Sequence, residues 1–166
     1  MTIAAPVALE DHHQIDAFDC GVTALNAWLK ARARSNAASG ASRTYVACDG
    51  ELVAGYYALA AGAVEVAEAP GRFRRNMPDP IPVIALGRLA LDRGQQGQGL
   101  GRALFRDAAL RVIQAADIIG VRGILVDAIS DEAKSFYQAV GMIESPLDPM
   151  TLMVTLRDLR AALSAQ

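Results

Sequence analysis

Cysteine is scarce, with two residues, Cys20 and Cys48, in a chain of 166. Two thiols are too few for a disulfide scaffold, and neither sits at a metal-ligand spacing, so both read as small buried apolar groups. Histidine is equally rare. His12 and His13 are adjacent, with no companion pair to complete a zinc site, so both are expected on the surface and no metal is expected. Charge of one sign is missing as well, since 16 basic side chains stand against 18 acidic ones. A molecule so balanced exerts no strong field on polyanions, and any contact with nucleic acid must come from local patches. No segment approaches the ~18 uninterrupted apolar residues of a membrane span, and the opening MTIAAPVALEDHH lacks a basic-then-apolar leader, so a cytoplasmic protein without a membrane partner is expected. Internal repeats and low-complexity linkers are also absent.

What is present is apolar material, 52% of the residues, enough for one domain spanning 1–166. Leu25, Trp28 and Leu29 recur at helical spacing, with Lys30, Arg32 and Arg34 on other faces, which predicts a helix over 22–38 that stops at Gly40. The stretch SRTYVACDGELVAGYYALA reads as two strands around Asp49-Gly50, a hairpin turn dipeptide. From Gly71 to Pro82, four prolines or glycines and three arginines predict an exposed loop. A central strand follows at Val83–Asp92, then a glycine-rich turn, then a helix running to Gly120. Short strands at Ile124–Ala128 and Thr151–Thr155, a helix over Asp131–Val140 and a charged terminal helix complete an α/β sandwich on a mixed sheet.

A strand, a glycine-rich turn and a helix together make an anion site, because free backbone N–H groups and the helix dipole face the ligand. The dinucleotide fingerprint fails here, since Arg102 stands where its last glycine belongs. A P-loop fails because Leu100 follows Gly99 where a lysine is needed. The turn does match [R/Q]-x-x-G-x-[G/A], as Gln96-Gly97-Gln98-Gly99-Leu100-Gly101. It resembles the acetyl-coenzyme A signature of the GNAT acetyltransferases, although glycines at such a turn also serve simply to tighten a strand-to-helix connection. The downstream block from Ser130 through Ala133, Tyr137, Gly141 and Met142 resembles the family's N-x-x-A-x-x-x-Y-x-x-x-G-[FM], with Ser130 in place of the usual asparagine.

That resemblance implies the GNAT fold, a mostly antiparallel mixed sheet with a V-shaped splay between central strands. It implies acetyl-CoA as co-substrate, its pyrophosphate on the amides of Gln96, Gly97, Gln98, Gly99, Leu100, Gly101 and Arg102. Its pantetheine arm would pair with the backbone of Leu89, Ala90 and Leu91, helped by Ser130. Tyr137 is then the general acid for the leaving thiolate, since a phenol of pKa ~10 is protonated at neutral pH; on periodicity alone it is a core aromatic packed with Phe136. No Glu, Asp or His stands out as a base. An α-amine, with pKa ~7.7–8.0 against ~10.4 for lysine, needs one least.

Blocks across most of the chain, FDCGVTALNAWL, ASRTYVA, RRNMPDPIPVIALGRLALD, DAISDEAKSFY and SPLDPMTLMVTL, resemble the toxin branch that acetylates aminoacyl-tRNA. The resemblance implies a tRNA substrate, a ribbon-helix-helix antitoxin, operator DNA bound by the pair together, and a homodimer. Lys30, Arg32 and Arg34 form one candidate phosphate cluster, and Arg72, Arg74 and Arg75 another, although such charges also serve as plain solvated faces. Arg88, on the central strand, is expected to meet a carboxylate or a phosphate. Two rival readings remain open: an acetyltransferase for a small amine, which the arginine-rich loop opposes, and a coenzyme A-binding or partner-binding module without turnover.

Overall fold

A computed structural model describes residues 2–165. In chain order the elements are β1 (Val7–Ala8), α1 (Thr23–Ala31), α2 (Ala33–Ser39), β2 (Arg43–Asp49), β3 (Leu52–Val64), α3 (Gly71–Arg74), β4 (Ile81–Leu91), α4 (Leu100–Ala116), β5 (Gly123–Asp127), α5 (Asp131–Ala139), β6 (Ile143–Glu144), β7 (Thr151–Thr155) and α6 (Leu156–Ser164). Among the described residues the seven strands are ordered β1-β2-β3-β4-β5-β7-β6. Contacts divide the chain into two compact units: the residues up to Ala60 with Gly87–Ala108, and Ala61–Leu86 with the residues from Ala109 onward.

In the first unit the predicted hairpin is formed. β2 and β3 pair antiparallel from Arg43↔Leu59 to Asp49↔Leu52, and Gly50 takes the left-handed conformation the tight turn requires. Val46 and Tyr56 face each other across the pair, and the register shift between Ala47 and Cys48 turns Val53 to the same side, so all three join one core with Ile15, Phe18, Leu29 and Ala33. Each such large side chain contributes ~1.5–3 kcal/mol by leaving water. The phenol of Tyr56 stays satisfied there by donating to the Leu25 carbonyl at 2.7 Å.

Two expectations change in this unit. The helix predicted over 22–38 breaks at Arg32, which leaves helical dihedrals at φ −121° and ψ −30°, and it resumes as α2 until Gly40 caps it in the left-handed region. His13 is buried rather than on the surface, because its Nδ1 accepts the Glu10 N–H at 2.9 Å and so the ring needs no water on that side. Burial, seconded by the neighbouring His12, holds its pKa below the ordinary value. Cys20 and Cys48 are both buried and free, as expected.

In the second unit β4 pairs in parallel with β5 at Ile84↔Ile124 and Ala85↔Leu125. A parallel neighbour requires a long crossover, and α4 supplies it. β5 then pairs antiparallel with β7 from Gly123↔Thr155 to Asp127↔Thr151, and β6 adds an edge that the sequence did not suggest. The segment predicted as an exposed loop differs in two places. Phe73 on α3 is buried, and β4 begins at Ile81, itself fully buried; both fill the core with Val64, Val83 and Met153. α4 stops at Ala116, short of Gly120, because Ile118 and Ile119 continue the apolar spacing with nothing to bury them and stand 91% and 63% exposed.

Gly123 is set by close approach. A Cβ there would lie 1.9 Å from the Val154 carbonyl oxygen and 3.0 Å from the Phe73 ring. Backbone cannot yield as a side chain can. We therefore expect Gly123→Ala to destabilise the protein by at least about 3 kcal/mol, the upper range for overpacking. Urea unfolding checks this, and a loss under about 1 kcal/mol would show that β5 and β7 shift apart freely.

Candidate active site

The turn after β4 is built by polar side chains that satisfy backbone groups. The Asp92 carboxylate accepts the Asp19 N–H at 3.0 Å and the Gly94 N–H at 3.2 Å. The Gln96 amide donates to the carbonyls of Leu91 and Cys20, both at 3.0 Å. Asp19 in turn accepts from the Gly21 N–H and the Asn26 amide, each at 2.9 Å, and these two bonds hold its carboxyl below the ordinary carboxylate range. The segment before α1 and the end of β4 are thereby locked together. Asp19, Asn26 and Asp92 escaped the sequence reading, although they are the polar positions of FDCGVTALN and ALD, blocks that are otherwise mostly apolar.

The locked turn presents exposed backbone. Gln96, Gly97, Gln98, Gly99 and Arg102 are exposed, Leu100 is half-buried and Gly101 is buried. Gly97 and Gly99 take φ of +78° and +83°, and a Cβ on either would meet no protein atom within 4 Å. Glycine is therefore required for backbone conformation, and the open space is where a ligand can lie against the amides. The first turn of α4 adds N–H groups without acceptors inside their own helix, at the positive end of 17 residues. Such a cradle fits the pyrophosphate of coenzyme A. The side chain of Gln96 itself is occupied in holding the turn.

On β4, Ala90 is buried in the α1-side core while Leu89 and Leu91 point the other way, half-buried. All three lie past the residues of β4 that pair with β5. Tyr57 donates to the Asp107 carboxylate and so ties β3 to α4.

The second unit carries Tyr137 and Ser130. Ser130 caps α5, its Oγ accepting the Ala133 N–H at 3.1 Å. Serine and asparagine are both good caps, which explains why the usual asparagine is dispensable for the helix. The hydroxyl keeps its proton to donate elsewhere. Tyr137 is buried, edge-on to Phe136 at 5.3 Å, and burial pushes its pKa up to about 12. It is a core aromatic by packing and a fully protonated phenol at neutral pH.

The basic residues divide sharply. Arg34 is committed to its own fold, because Nη2 donates to the carbonyls of Glu10, Asp11 and His13 at 3.1, 3.3 and 2.7 Å. Arg72 is likewise committed, with Nε and Nη2 donating to the two carboxylate oxygens of Asp158 at 2.7 and 2.6 Å. Lys30, Arg32, Arg74 and Arg75 are exposed. Arg88, expected to meet a carboxylate or phosphate, lies over the Trp28 ring at 4.3 Å, where α1 sets that ring beside the emerging β4 side chain. Among the described residues no group of three His, Cys, Asp or Glu could hold a metal, and no helix is long and apolar enough to cross a membrane.

No family model matches the chain. It is 50% identical over 158 residues, 95% of its own length and 95% of the relative's, to a tRNA-acetylating toxin of Mycobacterium tuberculosis. The structure of AtaT complexed with acetyl-methionyl-tRNAfMet superposes with a TM-score of 0.89 at 29% identity, covering 98% of this chain and 99% of that one. A tyrosine-to-phenylalanine mutant of AtaT, bound to the C-terminus of the antitoxin AtaR and acetyl-CoA, gives 0.84 at 28% identity with all of both chains covered. Half of its residues identical across nearly the whole of both chains, this protein belongs to the tRNA-acetylating toxins, a branch of the GNAT N-acetyltransferases.

Proposed function

We propose that the protein transfers the acetyl group of acetyl-CoA to the α-amino group of an aminoacyl-tRNA and thereby stops translation. The observation that carries this reading is the 50% identity to a tRNA-acetylating toxin, sustained over 95% of both chains. The glycine turn supports it by being open to a ligand where the fold exposes amides.

Acetyl-CoA supplies an acyl group activated by a thiol leaving group. The amides from Gln96 to Arg102 hold the pyrophosphate, and Gly97 and Gly99 keep side chains out of its way. The backbone of Leu89, Ala90 and Leu91 pairs with the pantetheine arm as an added strand, an N–H there polarising the thioester carbonyl. The Ser130 hydroxyl donates to the same arm. Tyr137 Oη gives its proton to the sulfur as the C–S bond breaks and the N–C bond forms; the proton lost by the amine passes to solvent. A phenol at about 12 is a weak acid for a thiolate of ordinary pKa ~8.5, so transfer requires the sulfur to be desolvated too, which raises its affinity for the proton alongside. An α-amine of pKa ~7.7–8.0 is already about half neutral near pH 8, and no side-chain base is needed.

Lys30, Arg32, Arg74 and Arg75 contact tRNA phosphates, being basic, exposed and free of the commitments that occupy Arg34 and Arg72. The whole chain acts as one catalytic domain, works in the cytoplasm as a homodimer, and is neutralised by a ribbon-helix-helix antitoxin with which it binds operator DNA.

Three measurements test this reading. Label from acetyl-CoA should enter the aminoacyl moiety of charged tRNA, and Tyr137→Phe should lower kcat by roughly 10²–10⁴-fold with the Kd for acetyl-CoA nearly unchanged; a loss under ten-fold would remove the acid role. In single-turnover assays kcat/KM should rise through the α-amine pKa at ~7.7–8.0 and stay level to about pH 10, because Tyr137 holds its proton to about 12. An alkaline fall between pH 8 and 10 that disappears in Tyr137→Phe contradicts that assignment. Arg74→Ala and Arg75→Ala should each make the salt dependence of tRNA binding shallower by about one unit of log–log slope. An unchanged slope in both would take that surface out of the interface.

A further inference from the structure

Arg88 is the one basic residue of the candidate set that is half-buried yet unspent. Among the described residues no hydrogen bond or ion pair engages its guanidinium, whose contact is with the Trp28 face at 4.3 Å. A partly buried cation with five N–H donors and no acceptor is costly to keep, unless something outside the chain supplies one. Stacking on an aromatic face uses the flat side of the guanidinium and leaves its edge free, so it orients the fork without consuming a donor.

The plate is itself fixed. Trp28 stacks on Tyr56 at 6.0 Å and 7°, and Tyr56 Oη donates to the Leu25 carbonyl of the same helix. The Asp92 N–H donates to the Ala54 carbonyl at 2.8 Å and so joins the end of β4 to β3, and on β2 Thr44 pairs with Ala58 of β3. Thr44 Oγ1 is buried and also lacks a partner. Arg88 stands immediately before Leu89, in the stretch assigned above to the thioester arm.

We propose that Arg88, presented by Trp28, anchors the terminal phosphodiester of the aminoacyl-tRNA acceptor end. This rests on the acetyl-transfer reading given above. In that substrate the anion nearest the reacting α-amine is the phosphodiester joining the last two nucleotides, and a guanidinium edge matches its two free oxygens in a bidentate pair. A small cationic amine would be repelled from the same place.

The test compares wild type, Arg88→Ala, Arg88→Lys, Trp28→Phe and Trp28→Ala on charged tRNA, on aminoacylated CpA, and on CpA whose linkage is a neutral methylphosphonate. Arg88→Ala should raise KM for charged tRNA about ten-fold or more with kcat close to wild type, as loss of a charge-assisted bond does. Arg88→Lys should fall between, Trp28→Phe should stay near wild type, and Trp28→Ala should follow Arg88→Ala. With the methylphosphonate, wild type should drop to the level of Arg88→Ala and the difference between them vanish. Equal losses on the charged and neutral linkages, a raised KM for acetyl-CoA instead, or a loss in Arg88→Ala and Arg88→Lys explained by lowered melting temperature would each overturn the proposal. Wild type inert toward every charged tRNA would remove the acetyl-transfer reading and this inference together; an active wild type with an indifferent Arg88→Ala would remove this inference alone.

Discussion

The clamp at the end of β4 is the constraint on which the candidate site depends. Asp92 and Gln96 between them satisfy the backbone of Asp19, Gly94, Leu91 and Cys20, and Asp19 and Asn26 complete the circuit on the other side. Each bond alone is worth ~0.5–1.5 kcal/mol, and most of them are at the surface. Their value is geometric. A turn with two glycines at positive φ has much backbone freedom to lose, and without side chains spanning it the exposed amides would have no fixed direction. An anion site made of backbone requires that direction to be settled before the ligand arrives.

The same economy appears in the charges. Arg34 and Arg72 are spent on the fold, one collecting three carbonyls and the other holding Asp158 in a two-pronged pair. Arg122 does similar service, donating to the carbonyls of Arg72 and Phe73 and so closing the end of a helix only four residues long. Since all but a few of the arginines look alike in a charge count, the distinction between structural and available ones lies in what each guanidinium touches. Arg88 touches a ring face, an arrangement that fixes orientation and spends no hydrogen bond.

Tyr137 shows how one burial serves two ends. Burial of its ring makes Tyr137 the residue of α5 that enters the core, and the same desolvation keeps the phenol protonated across the whole physiological range. Spacing alone describes a core aromatic, and the proton-donor role proposed for it comes from the family resemblance. Burial makes them compatible, because what disfavours the phenolate is also what makes the side chain a packing element.

Much of this protein was determined by local sequence. The hairpin at Asp49-Gly50, the strand–turn–helix around Gly97 and Gly99, the α5 cap at Ser130 and the stop at Gly40 are set by residues within a turn of one another, where few backbone conformations compete, so they are legible in the chain itself. What tertiary structure alone decided involves partners far apart in sequence. That Phe73 and Ile81 leave an apparent loop for the core, that Gly123 must yield its side chain to Val154, that His13 is buried, that Arg72 finds Asp158, and that Arg88 meets Trp28 all depend on segments brought together by the sheet. Periodicity records which face of an element is apolar. Which distant group a particular polar side chain will reach is fixed only when the strands are in register and the helices docked, since a hydrogen bond or a stacked ring acts over a few ångströms and the sequence carries no such distance.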